Sequence, residues 1–338
     1  MNDRSPNRSA PPVSPERCVR ELFDACADPQ TPPQPAGPSD DDIAQVLRLV
    51  RFLIAGNSPR WSACYLGPAY SYSHLAALRF FGDGHRLQPV SSIAAVFDSV
   101  LGGDNRHGVV PIENSTDGRV VDTLGRLRGG EVTIVGEVRL PIHHCLLASS
   151  SDTPIREIRS KPQALSQCRG YLARHHPDAA LVPVASTSAA ADAARIETGV
   201  AAVASREAGL AGGLHLLASD IEDNPNNVTR FLILGRDASE RTGKDKTSLW
   251  FEVKHHPGSL ADALVVLKRH ELNITLIESF PSPSGEGEYQ FFVEVLGHRE
   301  DETLETALSE LEQITEHLTV LGSYPIAPPA SDRISIRD

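Results

Sequence analysis

The sequence of 338 residues contains few cysteines, and none of them form a CxxC pair. The count is odd, and the five are Cys18, Cys26, Cys64, Cys145 and Cys168. Disulfide-stapled domains and structural zinc sites use cysteines in even sets at short, regular spacings. The spacing here favours reduced thiols in a cytoplasmic protein over a disulfide framework or a zinc site, and no metal is expected.

The sequence also lacks a long hydrophobic run. The longest apolar stretch near the start, residues 47–55, is interrupted by Arg48 and Arg51, whereas a membrane-spanning helix needs about 20 apolar residues. Residues 1–12 are polar and contain no apolar segment of the kind found in signal peptides. We therefore expect neither a secretion signal nor a membrane partner.

Positive charge is in short supply. The 32 Lys and Arg residues face 44 Asp and Glu residues, which gives a formal net charge of −12. Nucleic acids and anionic membranes are polyanions that such a field repels, and no run of Lys or Arg provides a local exception. A small anionic substrate remains compatible, because a pocket can be positive within a negative envelope.

The chain divides by composition into several segments. Residues 1–38 are rich in proline and polar residues, which predicts a disordered extension. Residues 39–60 predict a short amphipathic helix with Ser39 as its N-cap. Between residues 61 and 236, strands and helices alternate in the order of an α/β fold, with one or two largely parallel sheets.

The elements expected in this α/β part follow from hydrophobic runs and turn residues. The strands are Ala63–Leu66, Gly108–Ile112, Val132–Leu140, His144–Ala148, Ala180–Val184, Val200–Ala204 and Thr229–Leu234, and the helices are Ser73–Phe81, Pro162–Arg174 and Ser188–Glu197.

A charged linker over residues 235–246 precedes a compact βαββαβ pattern in residues 247–325, the split order of ferredoxin-like domains. Its strands are Thr247–Val253, Ile274–Ser279, Tyr289–Leu296 and Thr319–Tyr324, and its helices are Ser259–His270 and Glu302–His317. Residues 326–338 predict a loose tail.

One pattern recurs in the α/β part: a buried strand ends, hydroxyl or amide residues follow, and a helix is expected to begin. It occurs at residues 71–73, 114–116, 160–163 and 186–188. Ligands bind beyond the carboxyl ends of strands in open α/β sheets, and helix N-termini attract carboxylates. The same residue types are also ordinary N-caps. The pattern alone predicts an α/β protein that binds a small anion.

Four longer strings carry a more specific signal. They are GVVPIENST at residues 108–116, LPIHHCLL at 140–147, SKPQALSQC at 160–168 and IEDNPNNVTRF at 221–231. In order and spacing they resemble the motifs of the prephenate dehydratase family. The resemblance covers about residues 63–234, and the βαββαβ part resembles the ACT domain of the same family.

The resemblance implies a two-lobed, periplasmic-binding-protein-like (type II) α/β catalytic domain followed by an α+β ferredoxin-like ACT domain. It implies conversion of prephenate to phenylpyruvate, with loss of carbon dioxide and water and without a cofactor. By the same resemblance the catalytic positions are Thr229, Asn114, Ser160 and Gln167. The surrounding substrate-binding positions are Ser71, Ser115, Thr116, Ser186, Thr187, Arg230 and Phe231.

The implied chemistry fits these residue types. Aromatisation of the ring drives the reaction, so the enzyme needs to help hydroxide leave. A threonine hydroxyl is a weak acid, and we expect Thr229 to stabilise partial charge rather than transfer a proton completely. Arg230 either holds a substrate carboxylate or forms a salt bridge, and both interpretations remain open.

Two residues near the implied site depart from the family pattern. Tyr70 stands where the GPxGTxS motif has a glycine, which predicts a changed turn or cleft mouth. Lys161 stands where histidine is common, which adds a cation beside the site.

The C-terminal part contains two segments that resemble effector motifs. HPGSL at residues 256–260 is similar to PGAL, and ESFP at 278–281 is similar to ESRP, with phenylalanine in place of arginine. The resemblance implies L-phenylalanine binding at Pro257, Gly258, Ser259, Leu260, Glu278, Ser279, Phe280 and Pro281. ACT domains pair side by side, which implies a homodimer or homotetramer.

Other functions remain open at this point. Arogenate dehydratase catalyses the same elimination on the transaminated substrate, and a prephenate decarboxylase that keeps the ring hydroxyl would not need Thr229. A sensor of a small acid would not need all four catalytic positions, since function depends on sites rather than folds. Residues 1–60 are too short and proline-rich for the helical chorismate mutase fused to many bacterial relatives, so no mutase activity is expected.

Overall fold

The computed structural model describes residues 62–82, 85–282 and 289–330. The predicted extension over 1–38 and the predicted helical segment over 39–60 lie outside the described residues, as does the end of the tail. No described helix combines the length and apolar character needed to cross a membrane. The described chain forms two α/β lobes and a C-terminal domain.

Lobe 1 is built on a mixed sheet with the strand order β2-β1-β3-β11-β5, and β4 pairs with β3. Its strands are β1 Ser62–Leu66, β2 Arg86–Val90, β3 His107–Asn114, β4 Gly118–Arg119, β5 Thr133–Pro141 and β11 Val228–Gly235, and its helices are α1 Tyr72–Phe81, α2 Ile93–Gly102 and α3 Val121–Leu127. β1 is parallel to β2 and β3, but β11 is antiparallel to both β3 and β5. The expectation of largely parallel sheets was wrong. The lobe 1 sheet is mixed because β11 enters it on the return from lobe 2.

Lobe 2 has a five-stranded sheet in the order β10-β6-β9-β7-β8. Its strands are β6 Cys145–Ala148, β7 Glu157–Ser160, β8 Ala180–Pro183, β9 Val200–Ala204 and β10 His215–Ala218, and its helices are α4 Pro162–Gln167, α5 Arg169–His175, α6 Thr187–Ile196 and α7 Arg206–Ala211. The lobe 2 sheet is also mixed, because β6 is antiparallel to both of its neighbours. The single helix predicted over 162–174 is wrong. It is split at the fully buried Cys168, whose φ of −111° and ψ of 9° leave the helical region.

Two crossing segments join the lobes and run beside each other. The backbone N–H of Ile142 donates to the carbonyl of Asn227 at 2.8 Å, and that of Ile221 donates to the carbonyl of His144 at 3.0 Å. The second segment leads directly into β11. The start of β11 therefore lies at the junction of the lobes.

The C-terminal domain has the βαββαβ order expected from the sequence, and its antiparallel sheet has the order β13-β14-β12-β15. Its strands are β12 Asp245–Val253, β13 Ile274–Pro281, β14 Tyr289–Leu296 and β15 Glu316–Pro325, and its helices are α8 Ser259–Arg269 and α9 Glu302–Ile314. Several predicted boundaries were wrong. β12 begins at Asp245, which shortens the linker, and β15 begins at Glu316 rather than at Thr319. α9 ends at Ile314, before His317, because Thr315 is already extended with a ψ of 167°.

The sheet of the C-terminal domain is covered on both faces. Helices α8 and α9 pack on one face. On the other face, Trp250, Leu276 and Phe292 share one core with residues of lobe 1 such as Phe97 and Ile134. β15 approaches β5 closely at Gly322, where an added Cβ would collide with the backbone of β5. The C-terminal domain is thus packed firmly on lobe 1.

Candidate functional site

The centre of the site is a hydrogen bond between Asn114 and Thr229, which are direct partners across β3 and β11. The side-chain amide of Asn114 donates through Nδ2 to Thr229 Oγ1 at 2.7 Å. Its Oδ1 accepts from the backbone N–H groups of Thr116 at 2.8 Å and Asp117 at 3.0 Å. Only a carbonyl oxygen can accept two N–H groups, so these bonds fix the amide orientation. Thr229 therefore receives a donor and keeps its own proton for another acceptor.

The network crosses from lobe 1 to lobe 2 through amide side chains. Asn114 Nδ2 also donates to Asn227 Oδ1 at 3.0 Å, and Asn227 Nδ2 donates to Gln167 Oε1 at 3.2 Å. Gln167, at the end of α4, donates through Nε2 to Asp117 Oδ2 at 3.1 Å. Since Gln167 belongs to lobe 2 and the other three to lobe 1 or its entry, the network holds the lobes together.

His144 and Tyr72 extend this network behind Gln167. His144 Nε2 lies 2.9 Å from Gln167 Oε1, and its Nδ1 lies 3.0 Å from the Tyr72 hydroxyl. Burial lowers the pKa of His144, although the bond to Gln167 opposes this. Burial also raises the pKa of Tyr72 well above its usual value. At neutral pH the imidazole is uncharged, with Nε2–H donating to Gln167 Oε1, so that Nδ1 is an acceptor. The one proton of the Tyr72 hydroxyl is shared between this nitrogen and the carbonyl of His143 at 2.8 Å.

A group of potential metal ligands lies at the hinge and consists of His143, Asp220 and Glu222, whose ligand atoms lie within 4.8 Å of one another. Both oxygens of the Glu222 carboxylate already have partners, His143 Nδ1 at 2.7 Å and the backbone N–H of His144 at 2.9 Å. This satisfied hydrogen bonding fits a structural role in fixing the two crossing segments.

Three of the four predicted strand-to-helix segments precede helices, and two of them contain N-caps. The hydroxyl of Ser71 accepts the backbone N–H of His74 at 3.3 Å and caps α1. The hydroxyl of Ser186 accepts the backbone N–H of Ala189 at 3.0 Å and caps α6, of which Thr187 is the first residue. The expectation of a helix directly after Asn114 was wrong. The chain instead turns into β4, and α3 begins only at Val121.

The other predicted hydroxyl groups divide between the two lobes. Ser160 is fully buried, and its hydroxyl donates to the carbonyl of Val203 within lobe 2 at 2.5 Å. Ser115 accepts the backbone N–H of Val228 at 2.9 Å, which ties the turn after β3 to the start of β11. The structure therefore brings Asn114, Gln167 and Thr229 into one network and places Ser160 beneath the surface of lobe 2.

Two further predicted residues point away from this network. Arg230 is buried and forms ion pairs with Glu294 of the C-terminal domain and with Glu137 at 3.5 Å. Phe231 is 2% exposed and packs in the core between β11 and α1. These contacts favour the salt-bridge interpretation of Arg230 and a packing role for Phe231.

Tyr70 adopts a left-handed backbone with φ of 61°, a conformation that glycine reaches without strain. Its carbonyl accepts the hydroxyl of Ser205 in lobe 2 at 3.2 Å. This turn therefore links lobe 1 to lobe 2 outside the amide network.

The first effector-like segment lies at a cavity of about 420 Å³. Gly258 precedes α8 with a φ of 94°, which requires a residue tolerant of the left-handed region. Together with Ser259 and Leu260 it lines the cavity, and Tyr289 and Phe291 line it from β14.

Side chains of the second effector-like segment alternate between the two faces of the edge strand β13. Glu278 and Phe280 lie on the face toward lobe 1, and Ser279 lies on the other. Glu278 binds the guanidinium of Arg119 in lobe 1 at 2.6 Å, and Phe280 stacks on Trp250 with ring centroids 5.4 Å apart. Ser279 is paired in register with Phe291, which lines the cavity. Of these three residues, Ser279 alone therefore lies on the face of β13 that is shared with the cavity.

The fold and the cross-lobe network define a class: two-lobed α/β enzymes with a site at the lobe junction and a ferredoxin-like regulatory domain. The sequence model of the prephenate dehydratase family matches residues 63–239, and that of the ACT domain matches residues 247–313. The chain belongs to the prephenate dehydratase family, whose members are hydro-lyases.

Relatives named as prephenate dehydratases agree with this assignment. A bifunctional chorismate mutase/prephenate dehydratase of Aquifex aeolicus is 42% identical over 264 residues, which are 78% of this chain and 73% of the relative. A prephenate dehydratase of Mycolicibacterium vanbaalenii is 34% identical over 79% of this chain and 94% of its own length.

Solved structures share the fold. The prephenate dehydratase of Arthrobacter aurescens in complex with L-Phe is 32% identical, with a TM-score of 0.73 over 78% of this chain and 90% of its own. A quorum quenching acylase, GqqA, is also 32% identical, with a TM-score of 0.71 over 79% of this chain and 98% of its own. Since one fold supports different activities, the choice between them depends on the site.

Several members of the network were not among the predicted site residues, namely Tyr72, Asp117, His144 and Asn227. Asn227 had a signal, because it lies inside the IEDNPNNVTRF string two residues before Thr229. His144 lies inside the LPIHHCLL string and Tyr72 inside the segment 71–73, but Asp117 lies just outside the quoted strings. The contacts of these three residues join positions that are distant in sequence, which local pattern does not show.

Proposed function

We propose that the protein converts prephenate to phenylpyruvate, carbon dioxide and water. The observation that carries this proposal is the Asn114–Thr229 hydrogen bond of 2.7 Å at the lobe junction. The Thr229 hydroxyl therefore keeps a proton to donate, and in the proposed reaction it would lie beside the departing hydroxide. An acylase with Thr229 as its nucleophile would instead need a base that takes the proton from this hydroxyl. The partner described for Thr229 is the Asn114 amide, which is a donor and cannot act as that base.

The elimination needs few groups from the protein. The bond between the ring and its carboxylate breaks, and its electron pair enters the ring. The ring hydroxyl then leaves with the electron pair of its C–O bond, takes up a proton from the solvent and becomes water. Thr229 donates a hydrogen bond to the departing oxygen, and the network behind it holds this donor in place before the reaction begins.

We assign the remaining cleft positions by family resemblance. Ser71, Ser115, Thr116, Ser186 and Thr187 surround the substrate, and Gln167 holds the lobes around it. Ser160 does not touch the substrate in this proposal; it fixes the end of β7 through its hydrogen bond to the carbonyl of Val203. Arg230 and Phe231 are withdrawn from this set, since their side chains contact carboxylates and core residues.

The proposal is tested with purified full-length protein and prephenate at neutral pH, with phenylpyruvate followed by its alkaline enolate absorbance. We expect Thr229→Ala to lower kcat by about 10²- to 10³-fold, the usual effect of losing a donor to developing charge. Thr229→Ser keeps the hydroxyl and should retain most of the activity. The exposed Thr306→Ala in α9 serves as the control.

Absence of phenylpyruvate from folded parent protein would sink the proposal. Turnover of arogenate alone would redirect it to arogenate dehydratase, and a non-aromatic decarboxylation product would redirect it to a decarboxylase.

Regulation is proposed to act through the C-terminal domain. L-Phenylalanine would bind in the cavity beside Gly258 and Ser259 and lower activity, and a parallel assay with L-phenylalanine tests this.

Two copies of the chain would associate through these domains as a homodimer or homotetramer. We also propose a cytoplasmic location, which the buried, free thiols of Cys64, Cys145 and Cys168 support.

A further inference from the structure

Arg119 connects the C-terminal domain to the site. Its Nε donates to Glu278 Oε1 of β13 at 2.6 Å, and its Nη1 pairs with Glu113 Oε1 of β3. One guanidinium therefore joins a carboxylate of an effector-like segment to a carboxylate next to Asn114.

On the lobe 1 side, Arg119 controls the turn that orients Asn114. β4 pairs with β3 through Glu113 opposite Arg119 and Asn114 opposite Gly118. The turn between these strands supplies the two backbone N–H groups that hold Asn114 Oδ1. It also carries Asp117, which accepts the cross-lobe bond from Gln167. A shift of β4 would disturb both the amide that supports Thr229 and the contact between the lobes.

On the C-terminal side, Glu278 immediately precedes Ser279. Ser279 lies opposite Phe291, which lines the cavity beside Gly258. β13 is the edge strand of its sheet and is hydrogen-bonded only to β14 among the described strands. A ligand that displaces this strand moves Glu278 relative to lobe 1.

The Arg119 contacts differ in exposure from the other ion pairs between these domains. Arg230 and Glu294 are 10% and 0% exposed, and they form a buried group with Lys246 and Glu137. This group also reaches Glu113, which lies 3.7 Å from Arg230 Nη1. Breaking such a group is strongly unfavourable, so it anchors the domains permanently. The side chains of Arg119 and Glu278 are 28% and 32% exposed, and pairs of this kind break at small cost.

We propose that Arg119 is a positioning residue that transmits effector binding from Glu278 through Glu113 to Asn114, and that loss of the Arg119–Glu278 contact lowers activity. This inference rests on the proposed function and specifies how its regulation works. The buried group holds the domains together while the Arg119 contact opens and closes.

The test uses full-length Arg119→Met, Glu278→Gln and the double variant. We expect L-phenylalanine to bind each variant within about threefold of the parent by calorimetry, because Arg119 and the Glu278 carboxylate lie off the cavity. The concentration of L-phenylalanine needed for half-inhibition should rise at least fivefold, and the double variant should resemble the single ones. Arg159→Met is the matched control, since Arg159 also bridges two carboxylates, both within lobe 2.

A second measurement does not depend on turnover. Hydrogen exchange of the amides of Thr116 and Asp117 should accelerate with L-phenylalanine in the parent and in Arg159→Met, and should not respond in Arg119→Met. Unchanged inhibition of Arg119→Met, equal loss of binding and inhibition, or no exchange response in the parent would each overturn the inference. Lack of prephenate turnover in the parent would count against the proposed function alone, since the exchange result still decides the inference.

Discussion

At the scale of single residues, the site depends on the orientation of one amide. Asn114 has its carbonyl oxygen fixed by two backbone N–H groups, so its NH₂ group must face Thr229. The arrangement keeps the threonine proton for the substrate. Aspartate has nearly the same shape as asparagine but offers only acceptors when ionised.

We therefore predict that Asn114→Asp lowers kcat by at least about 10²-fold, similar to the loss of a donor at the reacting centre. The new carboxylate would accept a hydrogen bond from the Thr229 hydroxyl, which would then no longer donate to the substrate. It would also repel the carboxylates of the substrate. Steady-state kinetics with prephenate checks this, with the exposed neighbour Asn226→Asp as the charge-matched control. A variant with normal kcat and a raised KM alone would contradict the role given to this amide.

At the scale of secondary structure, β11 shows where the motif was informative and where it was not. The TRF residues were predicted together as site residues, yet the pleat of the strand separates Thr229 from Arg230. The sequence motif located the strand, but which side chain meets the cleft depends on the sheets that cover each face. The break at Cys168 escaped prediction for a related reason, because the flanking helices have ordinary helical composition and the break follows from packing in lobe 2.

Arg230 should then contribute to stability more than to catalysis. Arg230→Met leaves Glu294 and Glu137 with one cation instead of two, and breaking a buried pair costs about 3–5 kcal/mol. We expect this loss in the free energy of unfolding measured with urea. The more exposed Arg126→Met, which breaks a pair with Asp98, should cost less than about 1 kcal/mol. Equal effects of the two substitutions would show that the buried group is not an anchor.

At the scale of the whole molecule, the C-terminal domain is part of the same packed body as lobe 1. The sequence predicted two domains joined by a linker, and the βαββαβ order of the C-terminal one was confirmed. In the catalytic lobes the strands β2, β7 and β10 were not predicted. Their shared core could not be predicted, because the residues around Trp250 and Phe292 show that this face is apolar but do not show which part of the chain covers it. In the described residues, the core clusters of lobe 2 contain residues of that lobe alone. This separation predicts that the site opens by a movement of lobe 2 relative to lobe 1 and the C-terminal domain.

The stability of this body should fall in mild acid. Burial, with a smaller effect of Arg106, lowers the pKa of His107 to about 4, against about 6.5 in the unfolded chain. The unfolded state binds a proton first, so the contribution of His107 is complete above pH 6.5 and is lost as the pH falls toward 4. His144 is shifted in the same direction by burial.

We predict that His107→Gln makes the free energy of unfolding less dependent on pH between 6.5 and 4, by up to about 1.4 kcal/mol per pH unit. Urea unfolding at several pH values measures this slope. The exposed His215→Gln is the control and should leave the slope unchanged. A His107→Gln slope equal to that of the parent would show that the pKa of His107 does not differ between the folded and unfolded states.

The buried thiols have a consequence for how the protein meets oxidants. Cys64, Cys145 and Cys168 are at most 2% exposed, and burial raises the pKa of each, that of Cys145 to about 11. Peroxide attacks the thiolate, which is almost absent at neutral pH under these conditions. The described part of the enzyme should thus keep working through oxidative stress, and its rate should follow metabolite concentrations rather than the redox state of the cell.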